Sequence, residues 1–336
     1  MTRRPPARRI GDRERGVALV IVLIVLALLM TMVGEFALAM RLEGTTTLNF
    51  RAAVAATRLA EAAYQRAVAE ILPEALAHQL DAARQVLIFR RARIEVPEAP
   101  ERREIPLGPG RFSYRITDEE ARINVNRAPP ELLHRLLIEL DVERQARDVI
   151  VDSIQDWRDQ NEEHRLNGAE SDHYLGLPVP YRSKNADFEA LEELLQVHGI
   201  TPEIFHGRPE SPGLVEFLTV VGSGAINVNT ASETVLRAIG YATAEVELLK
   251  AAGPHIDLTT VPSNLRGRGG LQQRTRSETF RIEATGEVPG QGRRTLVALV
   301  RRQPGRDGAQ QVVRLGWRWL DEDARPSDPA SRTAAP

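Results

Sequence analysis

The stretch Arg13-Glu14-Arg15-Gly16, followed by Val17-Ala18-Leu19-Val20-Ile21-Val22-Leu23-Ile24-Val25-Leu26-Ala27-Leu28-Leu29-Met30-Thr31-Met32-Val33, is apolar from Val17 onward except at Thr31. At about 1.5 Å of rise per helical residue this run spans roughly 25 Å, and roughly 30 Å when carried through Phe36, Ala37 and Leu38, enough to cross a bilayer with little tilt. The pattern predicts one membrane-spanning helix over 17–38. Its N-terminal flank carries Arg3, Arg4, Arg8, Arg9, Arg13 and Arg15 against Asp12 and Glu14, whereas its C-terminal flank has Arg41 before Arg51. Basic residues stay on the cytoplasmic side, so the N-terminus is expected in the cytoplasm and the bulk of the chain across the membrane.

The same basic head fits a cleaved secretory signal, with Ala37-Leu38-Ala39 as an A-x-A site. However, the apolar run exceeds the usual h-region of about 7 to 15 residues. An alternative is processing ahead of the helix, after Gly16, leaving Val17 as the first residue of a retained anchor. Arg-Gly followed at once by an apolar helix resembles the leader of type IV prepilins and type II secretion pseudopilins. The resemblance implies a prepilin peptidase that cuts after the Gly and methylates the new N-terminus. Counting from Val17, the fifth residue is Ile21, where most members of these families carry a Glu. A buried charge is costly without its partner, so its loss is expected to restrict how this subunit enters a filament. Absence of that Glu is a feature of minor pseudopilin K, the subunit assigned to the tip.

The 336 residues leave roughly 300 beyond leader and anchor, enough for one large or two ordinary domains with real cores. With 44 basic and 46 acidic side chains the net charge is -2, which makes no overall electrostatic bid for nucleic acid. Cysteine is absent, which excludes disulfides, thiolate metal sites and cysteine nucleophiles. H-E-x-x-H, G-x-S-x-G, P-loop and Rossmann fingerprints are also absent, and no enzyme is expected.

Val54, Leu59, Ala62, Ala63, Val68 and Leu72 recur at near-helical spacing, so the membrane helix is expected to continue as an amphipathic arm, loosened or kinked at Gly44 to Thr47. Pro73 should perturb it, while residues 74–84 remain helix-compatible. Prolines and glycines between 96 and 110 predict a loop, and alternation predicts a strand at 111–117. Helical patterns follow at 131–140, 142–157 and 187–198. Ile226-Asn227-Val228-Asn229-Thr230-Ala231-Ser232 repeats Ile123-Asn124-Val125-Asn126-Arg127-Ala128-Pro129, and each copy leads into two helices, which predicts two related helical units. Residues 280–288 and 295–300 read as an antiparallel hairpin around Pro289 to Gly292, with a further strand at 312–320 and a disordered tail at 321–336.

The repeated Asn-Val-Asn segment also resembles the entry to a DNA-binding helix-hairpin-helix. Such hairpins need a Gly-x-Gly turn against phosphate, but the two turns here read Gly240-Tyr241-Ala242 and Leu140-Asp141-Val142. The expectation is therefore structural, with the Asn side chains capping helices and fixing turns. The cluster Arg266, Arg268, Arg274 and Arg276 lacks interleaved aromatics and reads as a solvated mobile loop. Asp156, Asp159, Asn161, Glu170 and Asp172 form an acidic stretch that could supply the oxygens of a calcium site, or could simply be a solvated acidic loop. It lacks the EF-hand pattern.

Asp156-Trp157-Arg158-Asp159-Gln160-Asn161, Gly168-Ala169-Glu170, Tyr174, Lys184-Asn185 and Glu193 to Gly199 together resemble the central pattern of minor pseudopilin K of the type II secretion system. Ile226 to Ala231 resembles its second characteristic segment. The resemblance runs from Arg15 to about Arg302. It implies an α+β fold in which the transmembrane helix continues into a pilin-like body with an antiparallel sheet and a large inserted helical domain. The expected organisation is leader 1–16, transmembrane helix 17–38, arm and first part of the body 39–127, inserted helical domain 128–222, second helical unit and C-terminal sheet 223–320, and tail 321–336. A single-pass inner-membrane protein with a periplasmic bulk is also implied, capping the tip of a pseudopilus. The implied partners are minor pseudopilins I and J, the major pseudopilin and prepilin peptidase, with no nucleic acid. The runner-up is a type IV pilus minor pilin. Family members bind calcium in the insertion. Asn161 stands where they commonly carry an acid, which would lower the affinity.

Overall fold

The computed structural model describes residues 12–81, 86–91, 101–267 and 272–320. The first element, α1 (Asp12–Ile71), is a single helix of 60 residues. The helix runs without a break through Gly44 to Thr47, where loosening or a kink is expected from the sequence. The Thr45 and Thr46 hydroxyls each donate to a carbonyl one turn back, Arg41 O and Leu42 O, at 2.8 Å, so their polar atoms are satisfied inside the helix. Large apolar side chains from Leu19 to Phe50 are exposed. From Ala52 onward one face is buried, through Ala56, Leu59, Ala60, Ala63, Ala67 and Ile71. Residues 1–11 of the expected leader and the tail 321–336 lie outside the described residues.

Pro73 ends the helix, and residues 74–84 do not continue it. Instead β1 (Ala77–Asp81) pairs antiparallel with β2 (Val86–Arg90). The buried side chains of Leu87 and Phe89 join the core of the body, and His78 meets Phe89 and Phe280 edge-on, so tertiary packing overrides a modest helical propensity. β3 (Ile105–Leu107) and β4 (Gly110–Asp118) follow. Along β4, Phe112, Tyr114 and Ile116 point inward, in keeping with the alternation in the sequence.

The chain then enters a helical region. β5 (Ile123–Asn124) leads to α2 (Pro130–Glu139), where Pro130 occupies the first turn, and to α3 (Arg144–Arg158) and α4 (Ser171–Leu175). The helix expected over 187–198 is a shorter 3-10 turn, Leu191–Gln196. The Glu193 carboxylate folds back to accept from the backbone N–H groups of Glu189 and Ala190. Next come α5 (Pro202–His206), β6 (Gly207–Arg208), β7 (Ser211–Pro212), α6 (Leu214–Phe217) and β8 (Leu218–Thr219), which runs parallel to β5. The second unit comprises β9 (Ile226–Asn227), α7 (Glu233–Ala238), α8 (Thr243–Ala252) and β10 (Gln273–Arg274), parallel to β9.

The two copies are built alike. Asn126 Nδ2 donates to Phe188 O (2.9 Å) and Val220 O (3.3 Å), and its Oδ1 accepts from Phe188 N (2.8 Å). Asn229 Nδ2 donates to His255 O (2.8 Å) and Thr275 O (3.0 Å), and its Oδ1 accepts from His255 N (2.8 Å). The helix N-caps are Pro129 and Ser232, so these Asn side chains tie loops together and do not cap. Asp141 and Gly240 occupy equivalent turns between helices, both at positive φ. Leu132, Leu136, Leu236 and Ile239 belong to one continuous core spanning Ile123 to Leu265. The boundary expected at 222/223 therefore runs through a single core.

The chain closes with β11 (Thr279–Val288), β12 (Gly292–Pro304) and β13 (Gln310–Leu320). The main sheet is antiparallel in the order β13-β12-β11-β4-β3. Asp118 pairs with Phe280 although the whole helical region lies between them in sequence, so that region is an insertion between neighbouring strands. α1 lies across β4, β11 and β12. Glycine permits the close approach: a Cβ at Gly286 would sit 2.1 Å from Ala56 O and 2.5 Å from Ala60 N. The alanine face of α1 supplies the other half of this fit.

The Gly286 end of the sheet meets α1 at Ala56 and Ala60, whereas its opposite end meets the end of the helix. There Arg276 pairs with Glu74 at 3.1 Å, and Arg302 Nη1 donates to Pro73 O at 3.3 Å. The helical region thus extends from the end of the sheet farthest from the apolar half of α1. Arg266, Arg274 and Arg276 do not form the loose basic loop expected. Arg266 Nε donates to Val261 O (2.7 Å), and Arg274 faces Glu120 and Glu278. Arg268 lies outside the described residues.

Candidate functional site

The acidic stretch forms where α3 runs out. Asp156, on the last turn, is fully buried, and Asp159 is the residue that closes the helix. Asp159 Oδ1 accepts from Asn161 N (3.2 Å) and Nδ2 (2.8 Å), and Asn161 Oδ1 accepts from Glu163 N (2.8 Å), so Asn161 shapes the turn. The loop returns with Arg165, whose Nη1 lies 2.5 Å from Asp156 Oδ1 and 2.6 Å from Asp159 Oδ2. Gly168 then passes so close to Asp156 that a Cβ there would lie 1.8 Å from Oδ2.

Glu170 is 1% exposed. Its Oε2 accepts from Ser183 Oγ at 3.1 Å, while Oε1 is buried without a donor. Burial pushes its pKa up to about 7, reinforced by the charges of Asp156, Asp159 and Glu162 and opposed by the Ser183 bond. Glu162 accepts from Ser171 Oγ (3.0 Å) and from Asn185 Nδ2 (2.9 Å), and the Oδ1 of Asn185 is also buried without a donor. Asp172 stands apart, exposed and paired with His164 at 2.9 Å. The His173 backbone N–H lowers its pKa. Trp157, Tyr174, Tyr181 and Phe188 form an aromatic floor beneath the loop.

The five side chains expected as calcium ligands are therefore not gathered into one shell. Asp156 and Asp159 are joined by a guanidinium, Asn161 serves the turn, and Asp172 faces a histidine. Among the described residues no three His, Cys, Asp or Glu side chains are placed to hold a metal ion. What fits a hard cation is narrower: the unpartnered oxygens of Glu170 and Asn185 beside the Glu162 carboxylate. Sequence reasoning overlooked Arg165, although a single cation six residues past Asp159 was the available signal.

A second polar cluster seals the junction between helical region and sheet. The buried Asp118 carboxylate accepts from Thr230 Oγ1 (2.6 Å), Ser277 Oγ (2.6 Å), Asn227 Nδ2 (3.0 Å) and Glu120 N (2.9 Å). Burial pushes Asp118 upward against these four donors. Burial and the Asp118 charge push Glu120 up to about 7. Across the junction His78 Nδ1 accepts from Ser277 N at 2.9 Å, and burial holds its pKa down at about 3, with Arg302, Arg276 and Arg91 adding to the effect. Asn227 and Asn229 are thus committed to internal bonds, which leaves neither for nucleic-acid phosphate.

One helix of the described chain, α1, is long and apolar enough to cross a membrane. Gly16 and Val17, the expected processing point, lie within its first turns.

Residues 115–207 match the family model for type II secretion system protein K, first domain. The chain is 28% identical to type II secretion system protein K of Pectobacterium carotovorum over 38% of its own length and 42% of that protein. It is 25% identical to a putative protein K of Escherichia coli K12 (65% of this chain, 66% of that one) and 27% identical to protein K of Klebsiella pneumoniae (58% and 61%). The chain thus spans less than two thirds of the length of each of these relatives. Its fold matches a chain of the crystal structure of the GspK–GspI–GspJ complex of the enterotoxigenic Escherichia coli type 2 secretion system, with a TM-score of 0.53 at 20% identity, over 66% of this chain and 84% of that one. The matched domain and the same-named relatives show that this chain is similar to type II secretion system protein K, and the structural match shows the shared α+β fold.

Proposed function

We propose that this chain is a minor pseudopilin that caps the tip of a periplasmic pseudopilus and helps to start its assembly for protein export. The observation that carries the reading is the position of the inserted helical region. It extends from the end of the sheet by Glu74 and Arg276, away from the apolar half of α1, where it would obstruct a further subunit stacking above. The exposed apolar half of α1 serves first as a single-pass inner-membrane anchor and then as the part that packs among neighbouring helices in the filament. In this reading the bulk is periplasmic, the role is architectural and not enzymatic, and Gly16–Val17 is the prepilin peptidase site. The partners are the minor pseudopilins I and J, in line with the complex to which the fold is similar, and the major pseudopilin. Ile21 in place of an acid agrees with a subunit that has no neighbour above it to pair with.

Calcium belongs to the same reading. Glu170 and Asn185, with Glu162 beside them, would hold it, and the bound ion would supply the positive charge that this crowded acidic loop otherwise takes from Arg165. The experiment that tests the reading is co-purification of the full chain with I- and J-type minor pseudopilins from membranes, with sequencing of its N-terminus. A ternary complex containing a chain that starts at Val17 is expected. A chain that begins at Met40 and associates with neither would overturn the reading.

A further inference from the structure

We propose that Glu35 is a docking contact for a neighbouring minor pseudopilin: its carboxylate pairs with a Lys or Arg side chain on the helix of a subunit packed beside and below it. The inference rests on the pseudopilin reading above and adds the residue through which the exposed half of α1 selects its neighbour.

Glu35 is the sole charged side chain from Val17 to Met40. It is exposed on the stretch of α1 that also exposes Met32, Phe36 and Leu38. Thr31, the other polar side chain of that stretch, donates to Leu28 O at 2.7 Å and is satisfied within the helix. Glu35 has no such outlet. The first cation after it is Arg41, six residues on, where the helix has turned by about 240°, whereas side chains meet at separations of three or four. The positions that share its side, Thr31, Met32, Leu38 and Ala39, carry no charge. Among the described residues no ion pair or hydrogen bond reaches its carboxylate. At about 1.5 Å of rise per residue Glu35 stands roughly 27 Å beyond Val17, close to the outer edge of a hydrocarbon core about 30 Å thick, so in the bilayer its carboxylate reaches the headgroups. That outlet closes when α1 packs among other helices, because protein then covers the same face and a covered carboxylate needs a cation. A subunit at the tip has neighbours below and none above. A parallel helix set lower presents, at the level of Glu35, a segment farther along its own length. A drop of about 10 Å brings up the residue about seven positions later, past the apolar span, just as Arg41 is the first charge past the span of this chain. Gly34, with nothing within 4 Å of the place a Cβ would take, lets the neighbouring helix come close.

The test is co-purification of the full chain from membranes with I- and J-type minor pseudopilins, comparing the parent with Glu35→Gln, Glu35→Asp and Glu35→Lys. Each is also melted in detergent, and all four should melt alike, because Glu35 touches no part of the body. Recovery of partners should fall about tenfold in Glu35→Gln, fall further in Glu35→Lys and stay near the parent in Glu35→Asp. Glu35→Lys is then combined with single charge reversals at the lysines and arginines along the helix of each partner, and one of these should restore recovery. Parent-like recovery in both the Gln and Lys variants means a carboxylate that serves the headgroups alone; it overturns the inference and leaves the pseudopilin reading standing. A loss in both variants that no reversal relieves overturns the inference in the same way. Failure of the parent itself to recover either partner overturns the inference together with the reading on which it rests.

Discussion

Gly286 and Ala56 are in backbone contact: a Cβ on the glycine would lie 2.1 Å from the alanine carbonyl oxygen, and its neighbour Gly110 would bring a Cβ 2.8 Å from Leu59 Cδ1. The arm of α1 is held to the sheet through this close approach, and it joins the anchor to the body. Gly286→Val should therefore destabilise the body by about 2 kcal/mol or more, because neither the backbone of α1 nor that of β11 has room to move. Thermal melting of the full chain in detergent checks this, and an unchanged transition would show that the helix does not sit as described.

The Glu120 carboxyl predicts how stability depends on pH. Its folded pKa of about 7 lies above its ordinary value near 4.5, so the folded state holds the proton more tightly than the unfolded state. Relative stability is greatest below about pH 4.5 and declines as pH rises through about 7, by up to about 3 kcal/mol. His78 works in the opposite sense. With a folded pKa of about 3, its contribution is present above about pH 6.5 and is lost as pH falls from there toward 3. Above pH 6.5 the Glu120 slope remains, and Glu120→Gln should flatten the loss of melting temperature between pH 6.5 and 8. An unaltered slope in that window would remove Glu120 as its cause.

The paired Asn126 and Asn229 predict loss of stability without loss of any DNA contact. Each carries three bonds to loop backbone, so Asn229→Ala removes the acceptor of His255 N and a donor to each of His255 O and Thr275 O, and should cost about 1–3 kcal/mol. The full chain should not retard duplex DNA at moderate salt. Salt-sensitive retardation abolished by Asn229→Ala would contradict the structural role.

Calcium should act through Glu170. An ion bound to the folded state at a hundredfold excess over Kd adds about 2.7 kcal/mol, and magnesium should substitute poorly because it demands a tighter octahedral shell. Glu170→Gln, which keeps the shape of a side chain bonded to Ser183, should lose most of the calcium-dependent rise in melting temperature. A full rise in the variant would move the ion away from Glu170.

Regular periodicity made the long elements legible. The apolar run of α1, the alternation of Phe112, Tyr114 and Ile116, and the hairpin of β11 and β12 each state their period in sequence, and the Asn-Val-Asn repeat announced the paired units. β1 and β2 were not legible because their strand character comes from packing Leu87 and Phe89 against Phe280, a partner nearly two hundred residues away. The unity of the two helical units was hidden for the same reason, since Leu136 and Leu236 meet only in three dimensions. At the acidic site composition located the loop, but not the roles within it. That Asp156 faces Arg165, that Asp172 faces His164 and that Glu170 is buried with a free oxygen all depend on where the chain turns back.

If the inserted helical region sets a tip position, immunogold labelling of this chain on pseudopili from cells that overproduce the major pseudopilin should place gold at one end of each filament. Gold distributed along the filament shafts would contradict it.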